Sequence, residues 1–124
     1  MERVRKTYYK EKEILILDYS ECKGDGMIKV YEQAKQLVLN EKKRFLILSI
    51  FSSKTFVSPE YLRHIEKDIL KVDEFIEKQA VIGLSQTQIW ILKGINLWYR
   101  KKIYSYNSLD EALEFLIKEN DNKD

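Results

Sequence analysis

The chain has 124 residues, of which 44% are hydrophobic and 34% are charged, with four glycines and one proline. This composition is typical of a globular domain and is too apolar for a disordered chain. The 22 basic and 20 acidic residues leave a formal net charge of +2. This near balance gives no reason to expect nucleic acid or an anionic membrane as partner.

The N-terminal part of the chain predicts two strands and a helix. Residues 7–9 are strand formers, residues 10–13 form a charged turn, and residues 14–17 are an apolar run that suits a strand covered on both faces. The short link between the two strands predicts an antiparallel hairpin. Apolar residues at three- and four-residue spacings then predict a helix over residues 27–40.

A strand and a long helix come next. Residues 45–51 (FLILSIF) predict the clearest buried strand, and residues 52–58 form a loop. Ser58 followed by Pro59 predicts a helix start, because serine caps the first turn and proline has no N–H to leave unpaired there. The apolar spacing predicts that this helix runs on to Ile76, with inward residues Leu62, Ile65, Ile69, Val72 and Ile76.

The C-terminal part predicts a strand over residues 80–84, a helix over 87–101, a strand over 103–106 and a last helix. The last helix is opened by the capping-box pattern Ser108-x-x-Glu111. The order β-β-α-β-α-β-α-β-α predicts an α/β fold with a mixed five-stranded sheet and four helices. We expect a single domain over residues 1–124, with an ordered core over about 7–119 and a frayed tail after Glu119.

No residue set forms a convincing active site. The phosphate-binding patterns GxxxxGK[ST] and GxGxxG are missing, and one histidine with one cysteine makes a zinc site improbable. His64 lies on the charged side of its helix, where a solvated histidine is expected. Cys22 has no histidine nearby in sequence to act with it. We therefore predict a non-enzymatic domain with no catalytic residue, no metal and no cofactor.

The chain also carries no pattern of a signal peptide and no apolar run of membrane-spanning length. These two observations predict a cytoplasmic protein without stable membrane insertion.

A loop and a helix are the candidate binding surfaces. Ser52, Ser53 and Ser58 precede a helix N-terminus, where a phosphate would meet the positive end of the helix dipole. The alternative is that Ser58 only caps the helix and the other two are loop residues.

Helix 87–101 has an apolar arc of roughly 220°, wider than a one-sided surface helix needs. It is therefore either covered on two sides or offers a patch to a partner or ligand, with the candidate residues Trp90, Ile91, Leu97, Trp98 and Tyr99.

Several segments resemble the STAS superfamily, particularly its SpoIIAA-like branch. The matching segments cover most of the chain: residues 14–20 (ILILDYS), the helix from Met27, residues 45–51 with 57–60 (VSPE), 80–85 (AVIGLS) and 106–116 (YNSLDEALEFL). The resemblance implies a domain that binds a partner protein, as anti-sigma-factor antagonists do. In them a serine at the start of the helix after a central strand is phosphorylated. The family's DSxG-type sequence is absent, because no Asp precedes Ser52 and Ser53 and no Gly follows them.

Two functional hypotheses follow. The first is a non-catalytic regulatory or protein-interaction domain, which binds another protein or a second copy of itself and is switched at a loop serine. The second is a carrier or sensor of a small apolar ligand or lipid, since the branch also includes lipid-binding-type domains related to Sec14. Its pocket is predicted between helix 87–101 and the sheet, lined by Trp90, Ile91, Trp98 and Tyr99.

Overall fold

The computed structural model describes residues 2–99 and 101–119, apart from the side chain of Trp98; the predicted frayed tail at 120–124 lies outside these residues. The strands and helices follow the predicted order. They are β1 (Val4–Tyr9), β2 (Lys12–Asp18), α1 (Asp25–Glu41), β3 (Phe45–Ile50), α2 (Pro59–Asp68), β4 (Ile76–Ile82), α3 (Gln86–Trp98), β5 (Ile103–Tyr106) and α4 (Leu109–Ile117).

The five strands form one mixed sheet in the order β1-β2-β3-β4-β5. The antiparallel hairpin of β1 and β2 is confirmed, and β2, β3, β4 and β5 run parallel to one another. The first strand begins earlier than residue 7, because Val4 pairs with Leu17 and is buried. β1 therefore starts three residues before the predicted position, since pairing with β2 and not the local composition decides where it begins.

The predicted continuation of the second helix to Ile76 is also wrong. α2 ends at Asp68, and two 3₁₀ turns (Ile69–Lys71 and Asp73–Phe75) lead directly into β4, whose first residue Ile76 pairs with Phe45. Ile69, Val72 and Ile76 are all buried, so their spacing does report burial. However, 3₁₀ turns also bring every third residue to one side, and the periodicity alone does not distinguish them from an α-helix.

Two smaller boundaries differ from prediction. β4 ends at Ile82, so Leu84 lies in a loop after Gly83, and α3 ends at Trp98 instead of residue 101. Ser85 caps α3 through a full capping box, in which it accepts the N–H of Gln88 while the Gln88 side chain accepts the N–H of Ser85. This box starts the helix one residue before the predicted position.

The sheet is covered on both faces. Leu15 and Leu17 belong to the core cluster that includes residues of α1, α2 and α3, whereas Ile14 and Ile16 pack with α4 on the opposite face. This explains the uninterrupted apolar run, because every residue of a strand between two layers of helices is buried. Among the described helices, none combines the length and the apolar run that crossing a membrane requires.

Candidate ligand cavity

The face of the sheet beneath α1, α2 and α3 forms the floor of a cavity. Ser49 on β3 lies in this floor and pairs with Leu17 on β2 and Val81 on β4. Gln79, on the same face of β4, pairs with Ile47 and Ile103. Ser49 and Gln79 are thus the polar members of a floor otherwise made by Leu17, Ile47, Val81 and Ile103.

The three helices cover the cavity from above without sealing it and leave a volume of about 150 Å³. α1 contributes residues of its inward face, α2 an aromatic ring with two aliphatic side chains, and α3 mainly aliphatic side chains. The lining residues from these helices are Tyr31, Ala34, Lys35, Val38, Tyr61, Leu62, Ile65, Gln88, Ile91, Leu92 and Ile95.

The cavity arises because α2 and α3 do not pack closely on the sheet. α1 buries five residues, but among the described side chains only Asp68 is buried in α2 and only Gln88 in α3. Ile65, Ile91 and Ile95 line the cavity and remain half-buried.

A pair of tyrosine hydroxyl groups belongs to the cavity wall. Tyr61 Oη donates a hydrogen bond to Tyr19 Oη at 3.1 Å, and the two rings pack edge to face with centroids 5.7 Å apart. Burial raises the pKa of Tyr61 to about 12 and the pKa of Tyr19 well above its usual value. Both hydroxyls are therefore neutral at any physiological pH.

A charged cluster lies beside the cavity, where α1 contacts α2. Lys35 Nζ, which belongs to a lining residue, is 2.9 Å from Asp68 Oδ2 and 3.3 Å from Glu32 Oε1. Tyr31 Oη donates to Asp68 Oδ2 at 2.9 Å. His64 Nε2 is 2.5 Å from Glu32 Oε2, and the histidine is half-buried. His64 is thus not the solvated residue expected, because α1 supplies a carboxylate from 32 residues away.

The cluster is an ion-pair network. Burial opposes ionisation of Asp68, but hydrogen bonds from Lys35 and Tyr31 outweigh it and lower the pKa of this carboxyl group. One ligand atom each from Glu32, His64 and Asp68 lie within 4.8 Å of one another, as metal ligands do. The Lys35 ammonium group already supplies the positive charge that these two carboxylates require, so a metal ion would have to displace it.

The three loop serines have different environments. Ser52 Oγ accepts the N–H groups of Glu21 at 2.9 Å and Lys54 at 3.3 Å. Ser58 is only 5% exposed, and its Oγ accepts the N–H of Tyr61 at 3.1 Å, which is the capping role. Ser53 is exposed. A kinase would therefore reach Ser53 most easily, and modification of Ser58 would break the helix cap.

The predicted patch on the third helix divides into two parts. Ile91 and Tyr99 line the cavity, and Tyr99 is buried. Trp90 and Leu97 face solvent, with exposed fractions of 67% and 89%. The side chain of Trp98 lies outside the described part of the chain. The wide apolar arc therefore consists of an inner side over the cavity and an outer side exposed to solvent, so the helix is not covered on two sides.

Sequence reasoning missed the polar residues around the cavity. Ser49 was a visible signal, because it interrupts the apolar strand FLILSIF. Lys35 gave no such signal, because the helical spacing of residues 27–40 places it opposite the apolar face. Its partner Asp68 is 33 residues away, and only the packing of α1 on α2 brings the two together.

Comparisons of this chain with protein-family models, with curated proteins and with solved structures found no match.

Proposed function

We propose that this domain is a non-catalytic carrier or sensor that holds a small apolar ligand between α3 and the sheet. The observation that carries the proposal is the cavity of about 150 Å³, whose walls are mainly aliphatic and aromatic. An engineered cavity of roughly this volume, lined by Leu, Ile and Phe, stays dry and binds benzene. A ligand of that size would replace the packing that α2 and α3 lack.

The attachment of α3 supports this function. Near its start, Gln88 Nε2 donates to Thr55 O at 2.8 Å, and near its end, Asn96 exchanges two hydrogen bonds of 2.9 Å with the backbone of Ile103. Between these polar anchors, the cavity side of the helix presents Ile91 and Ile95. A helix that is held at its ends and loosely packed in the middle can adjust to a ligand without unfolding.

Filling the cavity with a side chain should abolish ligand binding. We expect Ile91→Trp to reduce binding of ethylbenzene at least about tenfold, because the indole ring would occupy space that the ligand needs. Isothermal titration calorimetry of the purified chain measures this directly. Lys93→Trp is the matched control, since Lys93 is exposed on the same helix. Equal affinities of both variants and the wild type would contradict the proposed site.

A regulatory, protein-binding domain of the SpoIIAA-like type is the second candidate. It is favoured by the outer side of α3, where Trp90 and Leu97 are exposed, and by the 52–58 loop, where Ser53 and Phe56 are exposed. Exposed aromatic and aliphatic side chains of this kind are typical of protein interfaces. In this function the partner is another protein or a second copy of the chain.

The second candidate predicts that two changes alter partner binding without altering the cavity. Trp90→Ala and Ser53→Glu should each weaken the capture of a specific partner from cell lysate, or shift the monomer–dimer equilibrium in sedimentation. Ser53→Glu is preferable to Ser58→Glu, because Ser58 caps α2 and its loss would cost about 1 kcal/mol of stability. Lys29→Ala, on the exposed side of α1, is the control. Unchanged partners and unchanged sedimentation in both variants would exclude this surface.

A further inference from the structure

The hydroxyl pair in the cavity wall has a hydrogen without an acceptor. Tyr19 and Tyr61 together carry two hydroxyl hydrogens, and the bond between them uses one. Within the described part of the chain, neither Oη makes a second hydrogen bond, so the other hydrogen has no protein acceptor. Tyr19 is 2% exposed, which keeps bulk water away from it. A buried hydroxyl donor in this state costs about 1–3 kcal/mol.

The floor of the cavity also carries polar groups that lack hydrogen-bond partners among the described residues. Ser49 lies between Leu17 and Val81 on the cavity face, where close packing under a helix would favour an apolar residue. Its hydroxyl group makes no hydrogen bond to another side chain or to the backbone in the described residues. Gln79 Nε2 donates to Lys101 O at 3.1 Å, which leaves the amide oxygen of Gln79 available as an acceptor.

The charges beside the cavity argue against an anionic ligand. Lys35 is a charged lining residue, and its ammonium group is already held by Asp68 and Glu32. A ligand carboxylate would have to compete with Asp68 and would place a third negative charge beside these two. It would also lose its hydration on entering an apolar cavity, which is costly for an ion without a free partner.

From these three observations we infer the chemical class of the ligand: a neutral molecule of about the size of benzene with one oxygen-bearing substituent, such as an alcohol or a ketone. Its oxygen accepts the spare hydrogen of the Tyr19–Tyr61 pair, and its apolar body fills the space beneath Ile91 and Ile95. This inference rests on the proposed ligand-binding function and adds a polar subsite to it.

Two probes of matched size test the subsite. Benzyl alcohol and ethylbenzene differ by the exchange of a hydroxyl for a methyl group. We expect the double variant Tyr19→Phe/Tyr61→Phe to bind benzyl alcohol about fivefold more weakly, because one hydrogen bond is lost. Ethylbenzene should bind the variant about as tightly as the wild type, since it makes no hydrogen bond to the tyrosine pair in either protein. Calorimetric titration of both proteins with both probes gives the four affinities.

The matched control is Tyr8→Phe/Tyr104→Phe, which removes two hydroxyl groups from exposed tyrosines outside the cavity lining and should change neither affinity. In the wild type, the NMR shifts of the Tyr19 and Tyr61 Cζ atoms should respond to benzyl alcohol more than to ethylbenzene. This measurement tests the subsite even if the double variant fails to fold.

The outcomes separate the subsite from the cavity itself. If the double variant binds both probes more weakly by the same factor, or if the Cζ shifts respond equally to both probes, the polar subsite is refuted. The proposed ligand cavity is not refuted by either result. Tighter binding of benzoate than of benzyl alcohol overturns the inference that the ligand is neutral. Failure of the wild type to bind any of the three probes overturns the proposed function together with this inference.

Discussion

Replacing Gly83 with alanine is expected to destabilise the domain by roughly 3–5 kcal/mol, which is a large part of the stability of a domain of this size. Gly83 follows β4 with a φ of +84°, a backbone conformation that residues with a Cβ rarely adopt. A Cβ there would lie 1.9 Å from the carbonyl oxygen of Phe51. Moving that oxygen alone would not relieve the clash, because the Phe51 carbonyl carbon would also lie 2.7 Å from the added Cβ and the backbone would have to shift.

The free energy of unfolding, obtained from urea titration, measures this effect. Gly94→Ala is the matched control, because Gly94 lies within α3 and an added Cβ would meet no other atom within 4 Å. We expect Gly94→Ala to raise the free energy of unfolding by up to about 1 kcal/mol, as alanine favours the helix. A Gly83→Ala protein as stable as the wild type would mean that the β4–α3 turn is not arranged as described.

Breaking the ion pair between α1 and α2 is expected to have the second largest effect. Lys35→Met should lower the free energy of unfolding at pH 7 by about 3 kcal/mol, because it leaves the Asp68 carboxylate largely buried without its main partner. The aliphatic part of the side chain is kept, so the change reports on charge more than on packing. Lys29→Met, on the exposed side of the same helix, should change stability by less than about 0.5 kcal/mol.

The pH dependence gives an independent check of the same pair. The pKa of Asp68 is lowered in the folded protein, so its contribution to stability is present above the unfolded-state pKa of about 3.9 and is lost as the pH falls through the lower folded value. Without Lys35, the folded pKa should rise and the loss should begin at a higher pH. NMR titration of the Asp68 carboxyl carbon follows this directly. An identical titration in wild type and Lys35→Met would refute the pairing.

Much of the architecture was predicted from patterns of residues that are close together in sequence. The apolar run at residues 14–17 and the FLILSIF segment predicted strands buried on both faces, and each lies between two layers of helices. Ser58 with Pro59 predicted the start of α2, and Ser108 predicted the start of α4, where its Oγ accepts the N–H of Glu111 at 3.2 Å. These features depend on residues only a few positions apart, so they can be read from the chain itself.

The end of α2 shows where local patterns stop being sufficient. Ile69, Val72 and Ile76 have helical spacing, yet Ile76 begins β4 because Phe45, 31 positions earlier, pairs with it. The strand predicted at residues 80–84 was displaced for the same reason, since pairing with β3 extends β4 back to Ile76. Whether such a segment forms a helical turn or a paired strand is decided by residues that are distant in sequence.

The amino-acid sequence by itself determined the order of the elements, the caps that start α2 and α4, and the two-sided burial of the central strands. The tertiary structure decided the candidate site: which side of α3 covers the cavity, that Trp90 faces solvent, and that Lys35 meets Asp68. The physical reason is that a cavity is the space left between packed elements. Its volume depends on how closely α2 and α3 approach the sheet, and this distance cannot be predicted from any short stretch of sequence.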